Sequence, residues 1–145
     1  MLDSNCYIDA SRDPRALTAL DTFVTWAAPG LHVSSVVATE LRAGARTARD
    51  RRIIEERLLG PFARQERILT PSAAAWDALG RTMATLRDRE GLTLAQVSRS
   101  FAFDVLIAYT CRERGAVLVS ANVKDMTRIR RVFAFEHVAP FPDQP

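Results

Sequence analysis

The first apolar run of the chain is interrupted by polar residues. Leu2 and residues 6–8 predict a buried strand at the N-terminus, yet Asp3, Ser4 and Asn5 lie inside it. All three residue types favour turns. Ligands for a metal ion at the end of a strand are the other interpretation, and this stretch alone leaves both open.

Beyond this run, helical and strand-like patterns alternate along the chain. Apolar positions at helical spacing predict helices over residues 13–28, 34–59, 71–90, 100–114 and 123–133. Short apolar runs predict strands at 31–33, 66–70, 116–120 and 136–141. In the second helix we expect Ser34 or Ser35 as the cap, a kink at Gly44, and an end at Gly60 and Pro61.

The alternation of strands and helices predicts the fold class. Without repeats or linkers, it favours an α/β fold, a three-layer α/β/α sandwich with a mostly parallel central sheet. The length of 145 residues predicts one domain over 1–140, followed by a short tail over 141–145.

Composition excludes several classes of protein. A hydrophobic fraction of 48% argues against disorder. No apolar run approaches the ~18 residues of a membrane span, and no signal peptide is visible. The two cysteines, Cys6 and Cys111, form no metal-type pair. These features predict a reduced, cytoplasmic protein that does not enter membranes.

The positive charge consists almost entirely of arginine. The chain has 19 arginines and one lysine, Lys124, with a net charge of +3. A GC-rich genome explains this bias without a function, whereas the guanidinium group also suits phosphate recognition. Arg42, Arg46 and Arg49, here called the arginine trio, are expected on one face of the second helix.

Acidic residues fall where strands of the predicted sheet end. Asp3 follows the first strand, and Glu40 and Asp104 are embedded in apolar helical sequence. Three more polar residues lie at or just after the end of the strand at 116–120: Ser120, Asn122 and Asp125. Ligands collect at the carboxyl ends of parallel strands. Buried carboxylates are costly alone, and gathering them around Mg²⁺ or Mn²⁺ removes that cost.

Each acid also has an ordinary interpretation. Asp3 is a turn former, and Glu40 is an exposed partner for a nearby arginine. Asp104 and Asp125 are acids favoured by the dipole at a helix N-terminus. Four such coincidences at one end of one sheet are less probable than any one of them.

The order of these residues resembles the PIN-domain family, and within it the VapC-type ribonuclease toxins of type II toxin–antitoxin systems. The matching stretches are LDSN, SSVVATELRAG and FDVLIAYTCRERGAVLVSANVKDM, and the resemblance extends from Leu2 to about Arg131. Ser4 replaces the commoner Thr, and Met126 stands where Phe or Leu is usual. Neither departure affects the acids.

The resemblance implies a metal-dependent ribonuclease. Asp3, Glu40, Asp104 and Asp125 match the acids that hold one or two Mg²⁺ or Mn²⁺ ions. Asn5, Ser120 and Asn122 match the polar residues that orient these acids and the attacking water, and the arginine trio would bind RNA. Such hydrolysis leaves a 5′-phosphate and a 3′-hydroxyl. His32 and His137 lie in no motif and are expected to be structural.

The resemblance also implies partners. We expect a cognate antitoxin and a homodimer. The apolar helices IIEERLL and AAAWDALGRTMATL would offer grooves for an amphipathic segment of the antitoxin, or else their apolar residues face the core of the domain. Trp76, Leu79, Met83 and Leu86 should share one helix face. A catalytically silent PIN domain that binds RNA or acts as a scaffold is the alternative function. A haloacid-dehalogenase-type phosphatase is disfavoured, since Asn5 stands where a second Asp is needed.

Overall fold

The computed structural model describes residues 1–91 and 93–141. It contains eight α-helices in these residues: α1 Ser4–Ala10, α2 Pro14–Ala27, α3 Ser35–Gly44, α4 Ala48–Ile53, α5 Gly60–Arg64, α6 Ala73–Glu90, α7 Arg99–Arg114 and α8 Val123–Arg130. The strands are β1 Val33–Ser34, β2 Ile68–Leu69, β3 Leu118–Val119 and β4 His137–Val138. A π-helical turn, Ile54–Leu59, joins α4 to α5, and 3₁₀ turns occur at Ala28–Gly30 and Leu94–Gln96.

The structure is a mostly helical α/β fold with short strands, which confirms the predicted class. β1 pairs with β2 and β3 pairs with β4, in both cases in parallel. Leu2 adds a parallel bridge to Val119. The described residues thus contain short parallel pairings, in two separate ladders, where the sequence predicted a more continuous sheet. The tail residues 142–145 lie outside the described part of the chain.

The predicted N-terminal strand is wrong beyond Leu2. Asp3 has an extended backbone and its side chain accepts a hydrogen bond from the Ser4 amide, so it acts as the N-cap of helix α1. Residues 6–8 are therefore helical. Only the backbone around Leu2 pairs with β3, through the Asp3 amide to the Val119 carbonyl at 3.0 Å.

Most predicted helix boundaries are confirmed, and serine caps fix three of the helix starts, of which the cap at Ser34 was predicted. Ser34, Ser72 and Ser98 cap α3, α6 and α7 through their side-chain oxygens. Gly91 and Gly115 end α6 and α7 with φ values of 67° and 60°, a conformation that favours glycine.

The second predicted helix is divided into separate segments. α3 ends at Gly44, and α4 begins only after Thr47, which forms a capping box with Asp50. The expected stop at Gly60 and Pro61 is also wrong, since α5 starts there with Pro61 in its first turn. Proline is tolerated at that position because its missing N–H would have no partner within the helix.

A single hydrophobic core extends from Met1 to Phe135. Fully buried members come from several elements, including Leu2, Val37, Ile107, Leu118 and Ile129. The core places the N-terminal segment, β3 and the apolar face of α7 side by side. That arrangement brings Asp3, Asp104 and the residues after β3 to one side of the molecule.

The buried face of α6 differs from the predicted one. Its buried positions are Ala75, Ala78, Thr82 and Leu86, while Trp76 is 57% exposed. Leu86 is buried as predicted, and Leu79 and Met83 are partly buried against the core, so the buried face is rotated by about one residue from the predicted one.

Both cysteines are free and buried. Burial raises the pKa of the Cys6 thiol to about 12 and that of Cys111 to about 11. Thiols held neutral in this way are unreactive. Within the described residues, no helix combines the length and apolarity needed to cross a membrane.

Candidate active site

Asp3 is the most firmly held of the predicted acids. It is 3% exposed. Its Oδ1 accepts the Ser4 amide at 2.6 Å, and its Oδ2 accepts the Asn5 Nδ2 at 2.7 Å and the Ser120 hydroxyl at 2.6 Å. Together these three donors fix the direction of both carboxylate oxygens. The cap of α1 and the residue after β3 therefore fix one carboxylate between them.

Asn5 connects helix α1 to the loop after β3. Its Nδ2 donates to Asp3 and also to the Ser120 hydroxyl at 3.0 Å, and its Oδ1 accepts the Ala121 amide at 3.2 Å. The amide thus satisfies groups about 115 residues apart in sequence. This contact agrees with an orienting role for Asn5.

Asn122 makes the same kind of connection between two other acids. Its Nδ2 donates to the Asp104 Oδ2 at 2.8 Å and to the Asp125 Oδ2 at 2.9 Å. Its backbone amide donates to the Ser120 hydroxyl at 3.1 Å. One amide therefore links α7 to the first turn of α8, and Ser120 links this pair to Asp3.

These groups surround one cavity of about 460 Å³. Of the predicted site residues, five line it: Asp3, Asn5, Glu40, Asp104 and Asn122. Ser120 lies behind Asp3, and Asp125 is joined to the cavity through Asn122. We call this cavity the acidic pocket. All seven predicted residues therefore either line it or are hydrogen-bonded to residues that do.

Four further residues line the acidic pocket: Ser4, which lies between Asp3 and Asn5 in the first motif, and Ile8, Ser100 and Ala121, which were not predicted. Ser100 could have been found from sequence, because it precedes Asp104 by four residues and therefore shares its helix face. Ile8 could not, because the sequence pattern predicts a strand at that position.

Two acids of the pocket, Asp104 and Glu40, have raised pKa values. The pKa of Asp104 is raised to about 8, mainly by burial. The negative charges of Asp3, Asp125 and Glu40 raise this pKa further, whereas the hydrogen bond from Asn122 lowers it. The pKa of half-buried Glu40 is also raised, first by burial and then by Asp3. A hydrogen bond from Ser4 and the charge of Arg99 oppose that shift.

The donor chemistry of the acidic pocket fits a hard divalent cation. In the described residues, no lysine or arginine forms a salt bridge with any of the four acids. A cation would relieve the like-charge repulsion that adds to burial in raising the pKa of Asp104. In this conformation, however, no three acidic, His or Cys side chains of the described residues are close enough to form a coordination shell. Binding would require the acids to turn inward.

The arginine trio does not lie on one helix face, so that prediction is wrong. Arg42 is on α3, Arg46 is in the loop after Gly44, and Arg49 is on α4. Arg42 forms a two-pronged ion pair with Glu55, with distances of 2.6 and 3.0 Å. All three arginines are exposed. Their binding of RNA stays a prediction.

The two histidines make backbone contacts. His32 Nδ1 lies 3.0 Å from the Gly30 carbonyl oxygen, and His137 Nε2 lies 3.0 Å from that of Ser120. Neither lines the acidic pocket. The contacts agree with the structural roles expected of both.

Comparison with known proteins gives relatives by structure only. No family model matches the chain, and no curated protein does. FitAcB from Neisseria gonorrhoeae contains a similar chain, with 17% identity, a TM-score of 0.68 and 96% of each chain covered. FitAB bound to the IR36 DNA fragment gives 16% identity and a TM-score of 0.69, over 99% of this chain and 96% of the other.

A third similar structure is VapBC2 from Rickettsia felis bound to a DNA fragment from its promoter. It has 21% identity and a TM-score of 0.61, with 96% of each chain covered. These identities support a statement about the fold over nearly the whole length. The chain therefore has the fold of the PIN-domain toxins of the FitB and VapC type.

Proposed function

We propose that this protein is a Mg²⁺- or Mn²⁺-dependent endoribonuclease and the toxin of a type II toxin–antitoxin system. The observation that carries the proposal is the convergence of Asp3, Glu40, Asp104 and Asp125 on one pocket without a paired cation among the described residues. The acids come from four elements, and a fold has no stability reason to gather them unpaired.

The residues of the acidic pocket have separate roles in this proposal. Asp3, Glu40 and Asp104 would hold the cation, with Asp125 supporting Asp104 through Asn122. Asn5 and Ser120 fix the direction of the Asp3 carboxylate by donating to its Oδ2. Such hydrogen-bonded support of a ligand is typical of metal sites.

A bound Mg²⁺ or Mn²⁺ would supply an activated water and neutralise charge on the scissile phosphate. No histidine of the described residues lines the acidic pocket, so a carboxylate that is not bound to the cation, or bulk solvent, would take up the proton of the activated water. The expected products carry a 5′-phosphate and a 3′-hydroxyl.

The test is cleavage of total RNA by the purified protein with Mg²⁺ or Mn²⁺, and its loss with EDTA. The decisive variant is Asp3→Asn, which keeps a side chain able to cap α1. Asp9→Asn is the matched control, because Asp9 is an exposed carboxylate on the same helix. Equal cleavage by Asp3→Asn and Asp9→Asn would contradict the proposal. RNA binding without cleavage by the parent would favour the silent PIN-domain alternative.

We further propose that an antitoxin binds this chain. The solved relatives named above are complexes, FitAB and VapBC2. The apolar groove between α6 and α7, here called the α6–α7 groove, has a volume of about 600 Å³ and includes Trp76, Leu79 and Met83. It suits an amphipathic segment of an antitoxin or a second copy of the chain. Co-expression with the neighbouring gene product and measurement of the complex mass tests both.

A further inference from the structure

The first turn of α7 separates two depressions in the surface. Ser100 lines the acidic pocket, while its neighbour Arg99 lines the α6–α7 groove. The Ser98 hydroxyl accepts the Phe101 amide at 3.0 Å and fixes the start of this turn. Arg99 therefore lies on the rim between the groove and the acids.

The charge of Arg99 is not committed to an acid. Its side chain is exposed and forms no salt bridge with a described residue. Its guanidinium carbon lies 6.0 Å from the centre of the Phe103 ring, one turn along α7. This contact holds the arginine along its helix and leaves its N–H donors open.

Two other arginines on helices that carry pocket acids, α3 and α8, are already paired. Arg42 binds Glu55, and Arg128 binds Glu90 and stacks on Phe101 at 5.0 Å. Among the arginines of the described residues, Arg99 is the one adjacent in sequence to a residue that lines the acidic pocket, Ser100. Asp104 follows Ser100 by one turn of the same helix, so Arg99 lies beside the face of α7 that carries this acid.

A phosphodiester substrate must approach four carboxylates that repel it. A cation on the rim offsets this repulsion where the strand leaves the pocket. An arginine with open donors is suited to that contact, because its planar fork matches two phosphate oxygens.

We propose that Arg99 binds an RNA phosphate next to the one held at the acidic pocket, and so positions the strand for cleavage. The proposal rests on the proposed ribonuclease function and names a substrate contact that the sequence patterns did not indicate. Arg99 acts on the backbone, so its contribution is independent of base sequence.

The test compares Arg99→Gln, Arg99→Lys and Arg112→Gln in binding a fluorescent single-stranded RNA. Arg112 is the matched control, because it is exposed on the same helix, stacks on Tyr109 at 5.6 Å and lies 13 positions away, about 20 Å along the axis. The full chain carries Asp3→Asn, so that RNA is not cut, and Mg²⁺ is present. Thermal melts establish that each variant is folded.

We expect Arg99→Gln to weaken RNA binding by about tenfold at low salt, with a logarithmic salt slope lower by somewhat under one. Arg99→Lys should retain most of the affinity, and Arg112→Gln should match the parent. In the cleaving protein, Arg99→Gln should raise KM more than it lowers kcat. Equal Kd and slope for Arg99→Gln and Arg112→Gln would overturn the proposal.

Two further outcomes separate the proposals. If Arg99→Gln changes the oligomeric mass and leaves RNA binding intact, Arg99 belongs to a protein interface and the inference is wrong. If the parent cleaves no RNA with any metal, but Arg99→Gln still weakens RNA binding, the phosphate contact stands and the ribonuclease function falls.

Discussion

The acidic pocket and the arginine-rich segment over 42–52 have opposite architectures. The acids are buried or half-buried, and Asp3 is held by Ser120, 117 residues away. The arginines are exposed, and their partners are local: Arg42 with Glu55, and Arg52 with Glu56 one turn later. The pocket needs the whole fold to exist, whereas the arginine segment needs only its own helices.

This difference indicates that the fold holds the acids of the pocket in defined positions but does not hold the exposed arginines in the same way. Hydrogen bonds from Asn5 and Asn122 hold the acids in set directions, and burial makes the removal of any of these bonds costly. Exposed ion pairs contribute little and rearrange readily. Substitutions in the pocket should therefore have large and specific effects, and substitutions in the arginine segment should have small and graded ones.

The largest effect is expected at Asp3. Expression without antitoxin should arrest growth, and Asp3→Ala should relieve the arrest. Loss of a cation ligand removes several kcal/mol of transition-state stabilisation, so cleavage should fall at least ~100-fold. Growth curves and an RNA-cleavage assay at equal protein levels measure both.

Stability must be controlled in that experiment. Asp3→Ala removes the cap of α1, at a cost of about 0.5–2 kcal/mol, and leaves the Ser120 hydroxyl without its acceptor. Asp3→Asn restores a capping oxygen and should relieve growth arrest equally. Toxicity of Asp3→Asn equal to that of the parent would refute the nuclease assignment.

The second effect concerns stability and pH at Asp104. Without metal, this carboxyl has its pKa raised to about 8, against ~4 in an unfolded chain. The folded state then binds the extra proton, so the parent in EDTA loses stability as pH rises from about 4 through 8. Asp104→Asn lacks this titration and should be more stable than the parent, by on the order of 1 kcal/mol or more above pH 8.

Thermal melts of both proteins from about pH 5 to about pH 9 test this expectation. The difference in Tm should be smallest at the acidic end of this range and largest at the alkaline end, and millimolar Mg²⁺ should stabilise the parent more than the variant. Asn keeps an oxygen that can accept the Asn122 Nδ2, so packing is preserved. A variant that is strongly destabilised in EDTA, with equal Mg²⁺ shifts, would make Asp104 a structural acid.

The same contrast explains what the sequence could predict. Caps at Ser34 and Ser72 are local signals, and the helix starts that they mark are predicted correctly. The convergence of the acids followed from parallel strand ends and the family resemblance. The sharing of Asn122 by two acids, and of Ser120 by Asp3 and Asn5, depends on side-chain directions that spacing does not contain.

The errors also have local physical causes. The sequence pattern around Asp3 predicts a strand, because a helix cap beside apolar neighbours gives the same pattern as an interrupted strand. Gly44 is expected only to kink a helix, but Thr47 and Asp50 form a capping box that starts a new one. That restart is why the arginine trio does not share a face.

A smaller effect is expected from the arginine trio. Changing all three to Gln should weaken RNA binding and lower the logarithmic salt slope, by somewhat under one for each phosphate that the trio binds. Arg42 already binds Glu55, so the total change should be smaller than three full phosphate contacts would give. Binding titrations at several salt concentrations measure the slope.

The matched control for the trio removes the same charge from exposed arginines elsewhere on α6 and α7: Arg81, Arg112 and Arg114. If the trio variant and this control have the same logarithmic salt slope of RNA binding, the arginine trio reflects the composition of the chain and does not form an RNA-binding site. A larger change per arginine than that of Arg99→Gln would reverse the ranking of the two regions.

The smallest effect tests how the predicted helix over 34–59 is divided, through substitutions at two glycines near its breaks, Gly44 and Gly60. A Cβ at Gly60 would lie 2.9 Å from the Glu55 carbonyl oxygen, which accepts the Gly60 amide across the π-helical turn. A Cβ at Gly44 has no atom within 4 Å. Gly60→Ala should therefore lower the free energy of unfolding by about 1 kcal/mol, since backbone must shift. Gly44→Ala should be neutral or raise it by up to ~1 kcal/mol, because alanine restricts the unfolded chain.

Urea unfolding of both variants measures the difference. If Gly60→Ala is as stable as Gly44→Ala, the π-helical turn is not the native path of the chain, and a regular helix up to Leu59 would be restored as the better description.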